Sequence, residues 1–134
     1  MKLIECVPNF SEGADLDIID EITNKISSIK NIELLDVDPG KDTNRTVVTF
    51  IGPPEDVIEA AFQGIKIAGS LIDMKKHSGE HPRMGATDVC PLIPVSGVSM
   101  DECIEYSKKL AKKVAKELSI PVYLYEESTD NKYR

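Results

Sequence analysis

The apolar positions of this chain switch between two periods, and the switches mark out its elements. Ile18, Ile19, Ile22, Ile26 and Ile29 recur at steps of three and four, which predicts a helix beginning near Asp15 with one buried stripe. Ile58, Ala61, Phe62, Ile65, Ala68 and Ile72 make a second stripe. It follows Pro54, whose fixed φ and missing N–H suit a first helical turn, and Glu55 and Asp56 favour the positive end of the helix dipole. Cys103, Leu110, Val114 and Leu118 form the third stripe, behind a capping box spelled by Ser99 to Glu102.

Between these helices lie short runs of strand character. Leu3 to Val7 is an apolar run stopped by Pro8 and Asn9, read as a buried strand opening into the loop NFSEG. Ile32 to Asp38 and Thr46 to Ile51 are rich in branched residues and flank the turn-forming stretch PGKDTNR, which predicts a hairpin-like pair. Val89 to Val95 is apolar but holds Pro91 and Pro94, which cannot donate to a ladder, so it belongs at a sheet edge or across a bulge. Pro121 to Tyr125 reads as a last strand. The succession is that of an α/β (α+β) chain resembling a ferredoxin-like split β-α-β sandwich with an added helix and strand, its helices on one face of a mixed sheet. VVTFI puts apolar side chains on both faces, so the face away from the helices is expected to receive another layer.

Composition narrows the partners. The chain has 134 residues, enough for one domain with its own core. A formal charge of −7 and a pI near 4.8 disfavour nonspecific binding to nucleic acid or to an anionic membrane surface. Small molecules and proteins are the partners to seek. Cys6, Cys90 and Cys103 form no CxxC pair, so neither a zinc ribbon nor a disulfide framework is supported, and reduced thiols in a cytoplasmic setting follow. The start, MKLIECVPNFSEG, is too short in apolar residues for a signal peptide, and no run reaches membrane-spanning length.

Residues 73–88 break the periodicity and hold both histidines, and the stretch DMKKHSGEHPRMGATDVCP, residues 73–91, is the least explicable by folding alone. It sets His77, Glu80, His81 and Arg83 beside Lys75 and Lys76, with Gly79, Pro82 and Gly85 shaping the backbone. An imidazole exchanges its proton most readily near neutral pH, so His81 could act as general acid and base, and Arg83 could fork onto a carboxylate. The same residues could equally be a solvated loop whose charges pair with each other. His77 and His81 at HxxxH spacing could also bind a metal with Glu80 or Asp88, but Gly79 and Pro82 oppose the continuous helix that this needs. Asp36 and Asp38, at the end of the second strand before Pro39 and Gly40, could hold a histidine in one tautomer or merely cap the PGKDTN turn. Asn9, Ser11 and Glu12 stand in a similar position after the first strand, with loop capping as the plain role. Cys90, before a proline in an apolar run, reads as core rather than nucleophile.

ECVPNFSEG at 5–13, LLDVDPG at 34–40, TNRTV at 43–47 and HSGEHPRMGATDVCP at 77–91 resemble the N-terminal subdomain of the formiminotransferase family. The likeness runs from Leu3 to about Glu126, so residues 1–126 are taken as that subdomain and 127–134, ESTDNKYR, as a polar tail. The resemblance implies two subdomains of related ferredoxin-like fold whose sheets face each other across a substrate groove. It implies a folate-dependent transferase of histidine and one-carbon metabolism that moves a formimino group from N-formimino-L-glutamate to N5 of tetrahydrofolate, the latter as co-substrate and without a metal. The family's catalytic histidine carries over to His81 and the aspartate that assists it to Asp38. His77 is present in relatives without that role. Arg83, Arg45 and Lys75 are secondary candidates for substrate carboxylates, while most folate contacts are expected from a second subdomain.

Catalytic members continue into that second subdomain, whereas this sequence stops at Arg134. It is therefore read as one piece of a split or truncated enzyme, or as a lone-subdomain relative, completed by a second subdomain or by another copy through the open sheet face. Two alternatives stand beside it: a glutamate formyltransferase using the same groove, and a noncatalytic interaction module that keeps the fold.

Overall fold

Asp15 starts the first helix. Its carboxylate accepts the N–H groups of Asp17 and Ile18 at 3.1 and 3.3 Å, occupying donors that have no partner inside the helix, and α1 runs Leu16–Ser27. In this computed structural model, residues 2–11, 15–40, 45–75, 87–89 and 91–118 are described, the side chains of 72–75, 87–89 and 118 excepted. Helix α2 spans Pro54–Lys75 and α3 spans Met100–Leu118. The capping box of α3 is closed as its spelling predicts: Ser99 N–H donates to Glu102 Oε1 at 2.9 Å, and Glu102 N–H to Ser99 Oγ at 3.1 Å.

The strands are β1 (Leu3–Cys6), β2 (Asn9–Phe10), β3 (Glu33–Gly40), β4 (Arg45–Gly52), β5 (Thr87–Val89) and β6 (Leu92–Ser96). β1 and β2 share one lane along β4, with Cys6 opposite Phe50 and Asn9 opposite Val47. NFSEG is therefore not loop from its first residue: the strand resumes at Asn9. Pro8 cannot donate, but its carbonyl accepts Val48 N–H at 3.0 Å and keeps the lane on β4 across the break. β6 lies along β1 and β5 along β2, so the run read as Val89 to Val95 divides at Pro91, whose carbonyl accepts Val7 N–H at 3.2 Å. β3 lies on the other side of β4.

The lanes thus run β3, β4, β1–β2, β6–β5, the split β-α-β arrangement expected. Every pairing among the described strands is antiparallel, which corrects the expectation of a mixed sheet. β3 and β1 do run in the same direction, but β4 is inserted between them. The strand expected at 121–125 and the tail at 127–134 lie outside the described residues.

Alternation along β4 divides the sheet into two faces. Thr46, Val48 and Phe50 are buried, whereas Val47, Thr49 and Ile51 are only half-buried. On the first face Ile4, Cys6, Phe10, Val48, Phe50 and Leu92 join Ile22, Ile26, Val57, Phe62, Leu110 and Val114 of the helices in one core. Each such side chain contributes roughly 1.5–3 kcal/mol by leaving water. Lys109 to Glu55 at 2.9 Å and Lys113 to Glu59 at 3.0 Å link α3 to α2, and the Lys113 ammonium also sits 4.7 Å from the centre of the Phe62 ring. Among the described residues no helix is long and apolar enough to cross a membrane. Among the described residues the second face carries no helix, and it holds the candidate site.

Candidate functional site

Register gathers the suspect loops at one end of the sheet. Gly40 is opposite Arg45, Phe10 is opposite Thr46, and Phe10 is also opposite Thr87. The chain therefore leaves β2 and β3, and enters β4 and β5, at the same end. Residues 41–44 connect β3 to β4 there, and residues 76–86 lead into β5 there. α2 has 22 residues, about 33 Å of helix, against about 27 Å for the 8 residues of β4. Starting behind Gly52 at the far end, it runs back past the strand and delivers Lys75 to the loop end.

One rung inward, a row of residues crosses the open face. Asp38 is opposite Val47 on one side, Asn9 is opposite Val47 on the other, and Val89 holds the position opposite Asn9. Lanes are about 4.8 Å apart, so the backbones of Asp38 and Asn9 are separated by roughly 10 Å with Val47 as the floor between them. Asp38 is exposed, and Val47 and Asn9 are half-buried. Arg45 precedes Val47 by two residues, which puts it on this same face as the diagonal neighbour of Asp38. Asp36, opposite Thr49, is on it too.

The structure thus brings Asp38 and Arg45 together and places Lys75 at the same end of the fold, its side chain outside the described residues. His77, Glu80, His81, Arg83 and Cys90 also lie outside them, and with the histidines the metal reading. Asp38 is not at a strand terminus, because β3 continues through Pro39 to Gly40. Asn9 lies inside a strand. It belongs to β2, and its carboxamide makes no hydrogen bond among the described residues. The signal that would have placed Asn9 on the open face is the inward position of Phe10 beside it.

In the helix layer some ionisations are shifted. Glu102 is held below the usual carboxylate range, first by the Ser99 N–H and then by the Lys2 ammonium. Glu59 is lowered chiefly by the Gln63 amide, which donates to it at 2.7 Å. Burial pushes the Cys103 thiol up, as befits a core residue.

Residues 3–134 match the formiminotransferase domain, N-terminal subdomain. The chain belongs to this family. A formimidoyltransferase-cyclodeaminase of Dictyostelium discoideum is 54% identical over 133 residues, covering 99% of the chain and 25% of that protein. Glutamate formimidoyltransferases of Streptococcus pyogenes serotype M1 and Thermoplasma acidophilum are 48% and 47% identical over 127 and 128 residues, which cover 95% and 96% of the chain and 42% of each protein. This formiminotransferase subdomain therefore spans between a quarter and about two-fifths of the length of these curated relatives.

Proposed function

We propose that the chain is the acid/base half of a glutamate formiminotransferase, transferring the formimino group of N-formimino-L-glutamate to N5 of tetrahydrofolate. The relatives named as formimidoyltransferases support the activity. The observation that carries the site is the row on the open face: Asp38 lies one rung inside the end at which the segment containing His81 joins β5. His81 stands six positions before Thr87 in the sequence.

The reaction asks for one mobile proton carrier. As N5 adds to the formimino carbon it must lose its proton, and the glutamate nitrogen must gain one before it leaves. His81 takes the first proton and delivers the second, and Asp38 fixes the imidazole tautomer by accepting its other N–H. Arg45, Arg83 and Lys75 supply cations for the substrate carboxylates. A second layer, the other subdomain or another copy, closes the open face and excludes water from the groove. Half-buried Val47 and Ile51, with Ile93 40% exposed at the edge, give that layer apolar positions to cover, with Glu5 between Ile51 and Ile93 in the same row.

The test is His81→Ala in the enzyme reconstituted with its second subdomain. Transfer is abolished and folding kept if the reading holds, and full turnover would overturn it. Formimino and formyl donors assayed side by side determine which one-carbon group is carried.

A further inference from the structure

Asn9 is a residue that folding does not account for. Asparagine is depleted in strands, because its side chain competes for local backbone hydrogen bonds. Here it sits inside the sheet, half-buried, in a row whose adjoining positions are the apolar Val47 and Val89. A valine would suit the backbone better. The carboxamide makes no hydrogen bond among the described residues. It faces away from the core, since its neighbours Pro8 and Phe10 are buried.

Asn9 also has a fixed relation to the proposed site. It is the wall opposite Asp38, with the floor of Val47 between them, and the roughly 10 Å from lane to lane leaves room for a small planar group above that floor. Its carboxamide offers an acceptor oxygen and a donor NH2. A formimino group presents N–H donors, whereas a formyl group presents an acceptor oxygen in the same place.

We infer that Asn9 is a substrate-positioning residue of this groove: its Oδ1 accepts an N–H of the donor's formimino group and holds the one-carbon unit over Val47, facing the acid/base wall. The inference rests on the proposed transferase reading.

The experiment compares Asn9→Val and Asn9→Asp in the enzyme assembled with its second subdomain, beside His81→Ala. Asn9→Val keeps the strand and removes the hydrogen bond, so kcat/KM for N-formimino-L-glutamate falls roughly 10- to 100-fold, through the donor KM, while the KM for tetrahydrofolate is unchanged. Asn9→Asp retains the acceptor and most of the activity. In the wild type, the 15N-labelled side-chain amide of Asn9 shifts on adding formiminoglutamate and not on adding glutamate. Wild-type kinetics for Asn9→Val, or equal losses for both substrates without an amide shift, would overturn the role of Asn9. If His81→Ala is inactive in the same series, that failure leaves the transferase reading standing, whereas an active His81→Ala removes both.

Discussion

Asp38 and Arg45 are diagonal neighbours across the β3–β4 ladder, both on the face that no helix covers among the described residues. Exposed opposite charges at such a distance contribute little to folding, of order 0–1 kcal/mol even when paired. Their position matters more for what they can meet. They stand beside the end of the sheet where the connections of residues 41–44 and 76–86 join it.

Asp38→Asn is expected to leave the melting temperature within about a degree of wild type and to lower kcat on the order of 10²- to 10⁴-fold, because an amide in that place can favour the wrong imidazole tautomer. Steady-state kinetics beside a thermal melt separate the two effects. Unchanged turnover would remove Asp38 from the mechanism.

Arg45→Gln acts on a different constant. If the guanidinium meets a substrate carboxylate in ground state and transition state alike, KM for the donor rises about tenfold while kcat is kept. A loss confined to kcat would assign Arg45 to the chemistry instead.

Much of this fold was legible because the helices wear their buried stripes openly: Ile19, Ile22 and Ile26, or Cys103, Leu110 and Val114, are spaced for one face and are buried on it. Asp15 and the Ser99–Glu102 box announced two helix starts for the same reason, since orphan N–H groups call for particular side chains. Pro8 misled, because a proline ends a ladder only where its missing N–H is needed, and here its carbonyl was the group in use. The antiparallel pairing was hidden because lane order is a property of the assembled sheet. Asp38 could be picked out from its motif, but its row with Val47 and Asn9 needed the register, which joins residues far apart in sequence.

Gly52→Ala tests the packing at the far end of β4. A Cβ there would lie 2.8 Å from the Asn31 carbonyl oxygen and 2.8 Å from Ile32 Cδ1. The isoleucine tip can turn aside, but the carbonyl is backbone, held in a turn where Asn31 has φ 67° and its side-chain amide donates to Asp56 at 3.1 Å. Overpacking of this kind costs about 1–3 kcal/mol, readable in a urea titration. Wild-type stability would mean that the turn yields freely.

The two faces of β4 should respond unequally to truncation. Phe50→Ala opens a cavity in the core shared by the sheet and helices and costs roughly 3–5 kcal/mol, whereas Ile51→Ala, on the half-exposed face, costs well under half of that. If the proposed second layer covers this face, truncating Ile51 weakens assembly more than it weakens the isolated fold. Urea titrations with and without the second subdomain measure both terms, and equal costs in the two settings would place the second layer elsewhere.

Glu102 ties the stability of α3 to pH. Its carboxyl is held low by the Ser99 N–H and by Lys2, so its contribution is complete above the ordinary glutamate value of about 4.3 and is lost as pH falls through the lower folded value. Glu102→Gln keeps an oxygen for the Ser99 N–H but cannot titrate. From about pH 6 to about pH 3 the wild type should therefore lose more of its melting temperature than Glu102→Gln does, the other carboxylates, Glu59 included, being common to both. Ser99→Ala, which removes the hydroxyl acceptor of the Glu102 N–H, costs about 1 kcal/mol at neutral pH. Parallel acid slopes for wild type and Glu102→Gln would show that the depressed ionisation does not act on folding, and that the capping box contributes through its hydrogen bonds alone.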